Sequence, residues 1–271
     1  MKTRLKTIII FLLPGLFIFS GCSKSNDALF SDLPVVESYL VPGSKVKVKI
    51  SQKAPYLSTV LISDTNVSNL QVNIIYHGRT YLLTSCGSGI YIDSAGLIPI
   101  LGDSTYALSF TYHGNLITAK TIIPTVPSKV KVSDTTITFA QFDYATTPVP
   151  GTQPDPIILS WSNPDYSHYM VTMESIDSNA VSVIKDSVPS SRISSEQPFT
   201  GDTARIHTMM FKYFGRNRII LYHMNAEYIN FFSQTVSTTQ NYQDPPTNIV
   251  NGLGIFTGIN TDTLYIRAIK K

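Results

Sequence analysis

Most of the chain alternates between apolar and polar residues with the two-residue period of a β-strand. Residues Lys45–Ile50 alternate strictly between lysine and an aliphatic residue, which predicts a half-buried strand whose lysines face outward. Two longer alternating segments, 69–84 and 106–123, are each interrupted by a His-Gly pair. They predict β-hairpins that turn at His77-Gly78 and His113-Gly114, because glycine accepts the positive φ that tight hairpin turns require.

The second half of the chain continues this pattern. Strand-like runs cover residues 130–142, residues 157–162 around Trp161, the stretches 206–214 and 218–224 on either side of Gly215-Arg-Asn217, and a final run over 263–269. The strands near the only tryptophan resemble the start of a fibronectin-type sandwich. Its ring is therefore predicted to anchor a core rather than to form a sugar platform.

One segment follows a different period. Tyr228, Ile229, Phe232 and Val236 recur at helical spacing and form one apolar stripe. They predict a single accessory α-helix near residues 225–237 that packs against a sheet. With short strands elsewhere, the chain is predicted to be an all-β protein of two sandwich-like units plus this helix.

The pattern of charged and apolar residues at the N-terminus predicts a leader segment that is removed by cleavage. A basic head of Lys2, Arg4 and Lys6 precedes the apolar run Ile8–Phe19, which is twelve residues long. A membrane-spanning helix needs about 20 apolar residues, whereas an apolar centre of about 7–15 residues is typical of a secretory signal peptide. No later segment is long and apolar enough to span a bilayer as a helix.

The residues that follow this run point to a lipid anchor. Phe19-Ser-Gly-Cys22 resembles a bacterial lipobox, with Phe19 where leucine is usual, and the resemblance implies cleavage after Gly21 and lipidation of Cys22. An ordinary signal cleavage next to an unmodified cysteine is the alternative. The predicted organisation is a signal peptide over residues 1–21, a tether over 22–33, an N-terminal β-sandwich over 34–124, and a C-terminal β-rich domain with the helix over 128–271.

Removal of the signal peptide changes the net charge of the chain, and lipidation of Cys22 changes the number of cysteines available for a disulfide. The full chain carries 21 basic and 18 acidic side chains, but residues 1–21 hold three basic residues and no acid. The remainder is balanced, which removes the compositional reason to expect nucleic-acid binding. Cys86 would be left without an intramolecular partner once Cys22 is lipidated.

The sequence offers no pattern for catalysis, a cofactor or a metal. It contains no G-x-S-x-G elbow, H-E-x-x-H helix, phosphate-binding loop or dinucleotide fingerprint. The five histidines (77, 113, 168, 207 and 223) show no ligand spacing. Cys86 beside Gly87-Ser-Gly89 is interpreted as a buried or turn-adjacent thiol rather than a nucleophile. The protein is predicted not to be an enzyme and to have no catalytic, cofactor-binding or metal-binding residues.

The closing segment carries a family resemblance. Asp244-Pro-Pro-Thr-Asn-Ile-Val-Asn-Gly-Leu-Gly-Ile-Phe-Thr-Gly258 resembles the end of a Bacteroidota lipoprotein family known as domain of unknown function 4249. Residues 35–40, 93–106 and 163–169 fit the same outline, and Ser38 stands where the family often has glycine. The resemblance implies an outer-membrane lipoprotein, commonly encoded near TonB-dependent transporters, with a transthyretin-like first sandwich. It implies no enzymatic activity, and the glycines of the motif predict a structural closing loop.

Together these observations predict a lipid-anchored outer-membrane protein that serves as a non-catalytic accessory or binding component of a TonB-dependent uptake system. Two alternatives stay open, a glycan-binding surface lipoprotein, suggested by fifteen tyrosines on a β scaffold, and a structural or adhesive one. The expected partners are a membrane and a transporter, without nucleic acid. Either face of the outer membrane is compatible with the sequence.

Overall fold

A computed structural model describes residues 32–53, 65–143, 153–235 and 246–271. The first half of this chain contains β1 Pro34–Leu40, β2 Lys47–Gln52, the short helix α1 Thr65–Ser68, β3 Asn73–Tyr76, β4 Arg79–Leu82, β5 Thr84–Ser85, β6 Ile90–Ile92, β7 Thr105–Tyr112 and β8 Asn115–Ile122. The second half contains β9 Ser128–Val132, β10 Thr136–Phe139, β11 Ile157–Ser162, β12 His168–Ser175, β13 Ile193–Ser195, β14 Thr203–Ile206, a 3₁₀ turn Thr208–Met210, β15 Gly215–Met224, α2 Ala226–Thr235, β16 Ile249–Val250 and β17 Leu253–Lys270.

Nine of the described strands form one large sheet. Its order is β13-β12-β15-β17-β1-β2-β6-β5, and β10 also pairs with β17. β17 is parallel to β1 and β10 and antiparallel to β15. Two smaller sheets accompany it, β14-β11-β9 and β16-β8-β7-β3-β4. The predicted all-β class with an accessory helix is confirmed.

Both predicted hairpins are present and turn where the sequence indicated. His77 and Gly78 have φ values of 47° and 73°, and His113 and Gly114 have 46° and 80°. Positive φ at both central residues defines the type I′ turn, whose twist matches that of the two flanking strands. Each histidine ring stacks on the tyrosine before it, with 4.2 Å between ring centroids.

A first hydrophobic core lies between the large sheet and the five-stranded sheet. Val36, Leu40 and Phe256 come from the large sheet, and Leu108 and Ile117 come from the hairpin β7–β8; all five are fully buried. The alternation predicted for the lysine strand is confirmed, since Val48 and Ile50 point into this core while Lys47 and Lys49 are exposed.

A second hydrophobic core contains Trp161. Its side chain is only 5% exposed, and its ring packs 5.3 Å from Tyr169 and 5.7 Å from Phe199 between centroids. Buried side chains from β15 and β17, such as Leu221 and Ile266, complete this core. The prediction that the tryptophan is a core anchor is confirmed.

The final strand is much longer than predicted. The sequence predicted a strand over 263–269 preceded by a closing loop, but β17 begins at Leu253 and its first half pairs with β1. β17 therefore contributes Phe256 to the first core and Ile266 to the second. Residues 33–271 form one compact unit, and a domain division near residues 124–128 stays a prediction.

Two further predictions about the second half were wrong. Residues 206–214 are not one strand, because β14 ends at Ile206 and a 3₁₀ turn at 208–210 places Phe211 in the second core. Gly215-Arg-Asn217 does not interrupt a strand but begins β15. The side chain of Asn217 is fully buried, and it accepts a hydrogen bond from Ser175 Oγ at 2.7 Å, which holds this end of the strand in the sheet.

The predicted helix is present as α2, which begins one residue and ends two residues inside the predicted range. The carboxylate of Glu227 in its first turn accepts hydrogen bonds from Thr121 Oγ1 at 2.6 Å and Thr257 Oγ1 at 3.3 Å. These bonds fasten the start of α2 to β8 and β17. Val236, predicted as part of its stripe, lies outside the described residues. No helix in the described ranges has the length and apolarity needed to cross a bilayer.

Candidate functional site

The predicted lipidation site, Cys22, lies outside the described residues, as does Gly21 before it. Within the described residues, no group of three or more His, Cys, Asp or Glu side chains could hold a metal ion.

No three of the five histidines lie together, and all five belong to the described residues. His77 and His113 occupy turns at opposite ends of β7, since Tyr76 pairs with Tyr106 at the start of that strand and His113 follows its last residue. His223 is buried, stacks on Tyr169 with 4.6 Å between centroids, and donates from Nδ1 to the Thr125 carbonyl at 2.8 Å. Burial lowers the pKa of His223, and the bond to Thr125 opposes that shift. His223 therefore connects Thr125, which lies between β8 and β9, to Tyr169 of the second core.

Of the two predicted environments for Cys86, the structure shows the turn-adjacent one and not the buried one, because its thiol is exposed. Its Sγ contacts the carbonyl of Thr84 at 3.9 Å, and the next three residues, Gly87, Ser88 and Gly89, all have positive φ. The backbone NH of Cys86 donates to the Ile90 carbonyl, which closes this turn between β5 and β6.

The closing motif fastens the chain to the large sheet. The side chain of Asn248 donates to the Phe256 carbonyl at 2.7 Å and accepts from the Phe256 NH at 3.0 Å, so it acts as a short additional strand partner. Thr247 Oγ1 donates to the Gly254 carbonyl, and Asn251 donates to the Leu116 carbonyl on β8. The role is structural, but residues 253–258 are a strand rather than the predicted loop.

A cavity of about 370 Å³ with walls of mixed polarity opens at the surface of the second core. Its walls include Phe142, Val183, Ile184, Ile193, Met209 and Phe211, together with Lys212. Ile193 and Met209 are at least half exposed. This volume is at the lower end of the range for small-molecule sites. Val183 and Phe211 in its walls belong to the second core, so the cavity borders that core directly.

The most extended grouping is a set of tyrosines on the large sheet, here called the tyrosine face: Tyr39, Tyr222, Tyr228 and Tyr265 with Arg218. Both cores lie on the opposite side of the sheet, because alternate residues of β1, β15 and β17 (Val36, Leu221 and Ile266, for example) are the buried ones. Tyr228 comes from α2, and its ring meets that of Tyr39 edge-on, with 6.2 Å between centroids.

Electrostatic contacts connect the members of the tyrosine face. Burial raises the pKa of Tyr228, and the neighbouring Tyr222 raises it further. Arg218 forms an ion pair with Glu174, and its guanidinium also interacts with the phenols of Tyr265 and Tyr222. Arg218 Nε is buried and has no hydrogen-bond partner within the described ranges. Tyr265 is the most open member, 59% exposed.

Fifteen tyrosines are apparent in the sequence, but nothing in it indicates that these four lie together. They belong to three strands and a helix, and they are separated by up to 226 positions, so only the strand register brings them to one face. Alternation along β15 and β17 was a usable local signal, because it places Tyr222 and Tyr265 opposite their buried neighbours.

The fold places this protein among all-β sandwich proteins. The family model described as "Domain of unknown function (DUF4249)" matches residues 24–264, and the chain belongs to that family. Among solved structures, it is similar to domains A168–A170 of titin, with 10% sequence identity, a TM-score of 0.21, and coverage of 72% of this chain and 61% of the titin fragment. The chain thus spans about three-fifths of that fragment. The comparison with curated proteins gives no match.

Proposed function

We propose that this protein is a lipid-anchored, non-catalytic protein of the outer membrane that serves as an accessory or binding component of a TonB-dependent uptake system. The supporting observation is where the family match begins. It starts at residue 24, two residues after Cys22, so the basic and apolar leader lies outside the family domain. A leader that is cleaved before Cys22 accounts for that boundary.

The chain following Cys22 suits a tether. Residues 22–33 would span at most about 40 Å when extended, and β1 starts at Pro34 and is paired on both sides, with β2 and β17. Acyl chains contribute about 0.8 kcal/mol per buried methylene, and stable anchoring takes more than one chain. A lipidated Cys22 would hold the β-sheets close to the membrane through a strand in the interior of the large sheet.

Replacement of Cys22 tests the anchor. In the native host grown with an alkyne-labelled fatty acid, the wild-type protein is expected to carry the label and to fractionate with membranes, whereas Cys22→Ala is expected to lose the label. Cys86→Ala is the matched control, since it removes the exposed thiol of the described chain. Continued labelling of Cys22→Ala, or loss of label in Cys86→Ala alone, would contradict the proposal.

The partner is tested separately. After extraction of intact membranes with a mild detergent, affinity purification of the wild-type protein is expected to recover a TonB-dependent transporter in near-stoichiometric amount. Recovery of the lipidated protein without any transporter would contradict the uptake role while leaving the anchor in place.

A further inference from the structure

A groove of about 510 Å³ lies on the three-stranded sheet β14-β11-β9. Ser160 and Ser162 of β11 line it, and they alternate with Leu159 and Trp161, whose side chains are buried in the second core. The groove therefore opens on the side of this sheet that faces away from that core. The polar residues along it, here called the lysine groove, are Lys129, Lys131, Ser160, Ser162, Asn163 and Asp202.

One wall of the groove is the edge strand β9, whose backbone departs from a regular strand. Lys131 pairs with Ser160 and Ser128 pairs with Ser162, so three steps along β9 lie opposite two steps along β11. An extra residue of this kind is a β-bulge, and Lys129 within it has a φ of +56°. This left-handed conformation is unfavourable for lysine, and such strain is found preferentially at binding sites.

The opposite wall is held in place by hydrogen bonds. Asn163 Nδ2 donates to the carbonyls of Thr200 at 2.9 Å and Gly201 at 3.1 Å, and the backbone NH of Trp161 donates to the Asp202 carbonyl at 3.0 Å. These bonds attach residues 200–202 to the end of β11. The wall that carries Asp202 is thus formed before a ligand arrives, which lowers the cost of ordering on binding.

The charged side chains of the groove are available to a ligand. Lys129, Lys131 and Asp202 are all exposed, and none of them forms an ion pair within the described ranges. Two ammonium groups on one wall favour an anionic group, because charge-assisted hydrogen bonds are stronger than neutral ones. The carboxylate of Asp202 on the other wall suits a hydroxyl or amine donor.

Lysines and bulges also have a purely structural use, since they protect edge strands from pairing with another sheet. That use concerns β9 alone. It does not require the serine hydroxyls of β11, or the acceptor that the 200–202 segment holds across from the lysines. The volume of the groove also falls within the range of small-molecule sites.

We propose that the lysine groove binds a small polar anion. Its carboxylate, sulfate or phosphate group accepts hydrogen bonds from Lys129 and Lys131, and a hydroxyl or amine of the same molecule donates to Asp202. This site goes beyond the proposed function, because it depends neither on the anchor at Cys22 nor on a transporter.

The test is isothermal titration calorimetry of the full chain, purified in mild detergent and measured at low ionic strength. Glucose 6-phosphate, glucose 6-sulfate and glucuronate present the three anionic groups together with hydroxyl donors, and glucose presents the hydroxyls alone. At least one of the three anionic sugars is expected to bind, whereas glucose is expected not to bind.

Lys129→Gln and Lys131→Gln are each expected to weaken that binding about tenfold, the loss that corresponds to one hydrogen bond to a charged group. Lys120→Gln is the matched control, since it removes an exposed lysine from β8 in a different sheet and should leave binding unchanged. Circular dichroism checks that each variant is folded, which is expected because all three side chains are exposed.

Asp202→Ala tests the opposite wall. Removal of its carboxylate is expected to tighten the binding of inorganic phosphate, because a like charge is lost, and to reduce the preference for the bound sugar anion over inorganic phosphate. A general loss of structure would weaken both probes alike, so the ratio of the two affinities separates a direct contact from misfolding.

The proposal is overturned if none of the three anionic sugars binds, if glucose binds as tightly as they do, or if Lys120→Gln weakens binding as much as Lys131→Gln. An unchanged preference in Asp202→Ala overturns the role of Asp202. None of these results bears on labelling at Cys22 or on recovery of a transporter, so failure here and failure of the proposed function are distinguishable.

Discussion

At the scale of single residues, Gly254 explains why the closing motif contains glycine. Its φ is +95°, and a Cβ built there would overlap the carbonyl oxygen of Val36 on the neighbouring strand β1. Gly78 also has positive φ, at +73°, but a Cβ there meets nothing within 4 Å. Substitution of each glycine in turn therefore separates the cost of backbone strain from the cost of a clash with the neighbouring strand.

Gly254→Ala is expected to destabilise the protein more than Gly78→Ala. The second change carries only the penalty of a left-handed conformation, about 1–2 kcal/mol. The first adds a clash with the β1 backbone, and its total cost is expected to be about 3–4 kcal/mol. Urea unfolding of both variants measures the difference, and equal losses would show that β1 and β17 separate enough to admit a methyl group.

His223 predicts a dependence of stability on pH. Burial lowers its pKa from the ordinary value of 6.5, so below about pH 6.5 the ring binds a proton in the unfolded chain while it is still neutral in the folded one. The contribution of this group to stability is therefore full above pH 6.5 and is lost as the pH falls from 6.5 towards the lower folded pKa.

The measurement is the free energy of unfolding at pH 7.5 and at pH 5.0, compared with the same pair for His223→Gln. The variant is expected to be less stable at pH 7.5, because the packing on Tyr169 is lost. It is also expected to lose less stability on acidification. An unchanged difference between the two pH values would assign the acid sensitivity to other groups.

At the scale of elements, the sequence pattern correctly predicted those elements that interactions between nearby residues determine. The hairpins at His77-Gly78 and His113-Gly114 follow from alternation and turn chemistry within about ten residues. The start of β15 was not predicted, because residues Gly215–Asn217 are held in the sheet by side chains about 40 positions away. Ser175 donates a hydrogen bond to Asn217, and Asp177 accepts one from the Arg216 NH.

The first half of β17 and the tyrosine face illustrate the same limit. Glycines at 252, 254 and 258 indicate a loop when read locally, yet β1 and Asn248 supply the hydrogen bonds that make 253–258 a strand. The spacing of Tyr39, Tyr222 and Tyr265 exists only in the register of three strands distant in sequence. Such a grouping becomes visible once pairing partners are known.

At the scale of the whole molecule, β17 couples the two cores. Phe256 belongs to the first core and Ile266 to the second, ten residues apart on one unbroken strand. A boundary between independently folding units near residue 124 would need this strand to unfold in halves. Continuous pairing with β1 over Leu253–Gly258 and with β15 over Ile259–Ala268 makes a single cooperative transition the expected behaviour.

Phe256→Ala tests this coupling, because the only tryptophan, Trp161, reports on the second core. Removing a fully buried phenylalanine from the first core is expected to cost about 3–5 kcal/mol. If the cores unfold together, the tryptophan fluorescence transition in urea shifts to lower concentration and coincides with the transition seen by circular dichroism. Ile266→Ala is the control that must shift the fluorescence transition in either case. A fluorescence midpoint unchanged by Phe256→Ala would mean that the second core folds independently and that β17 joins two domains without coupling them.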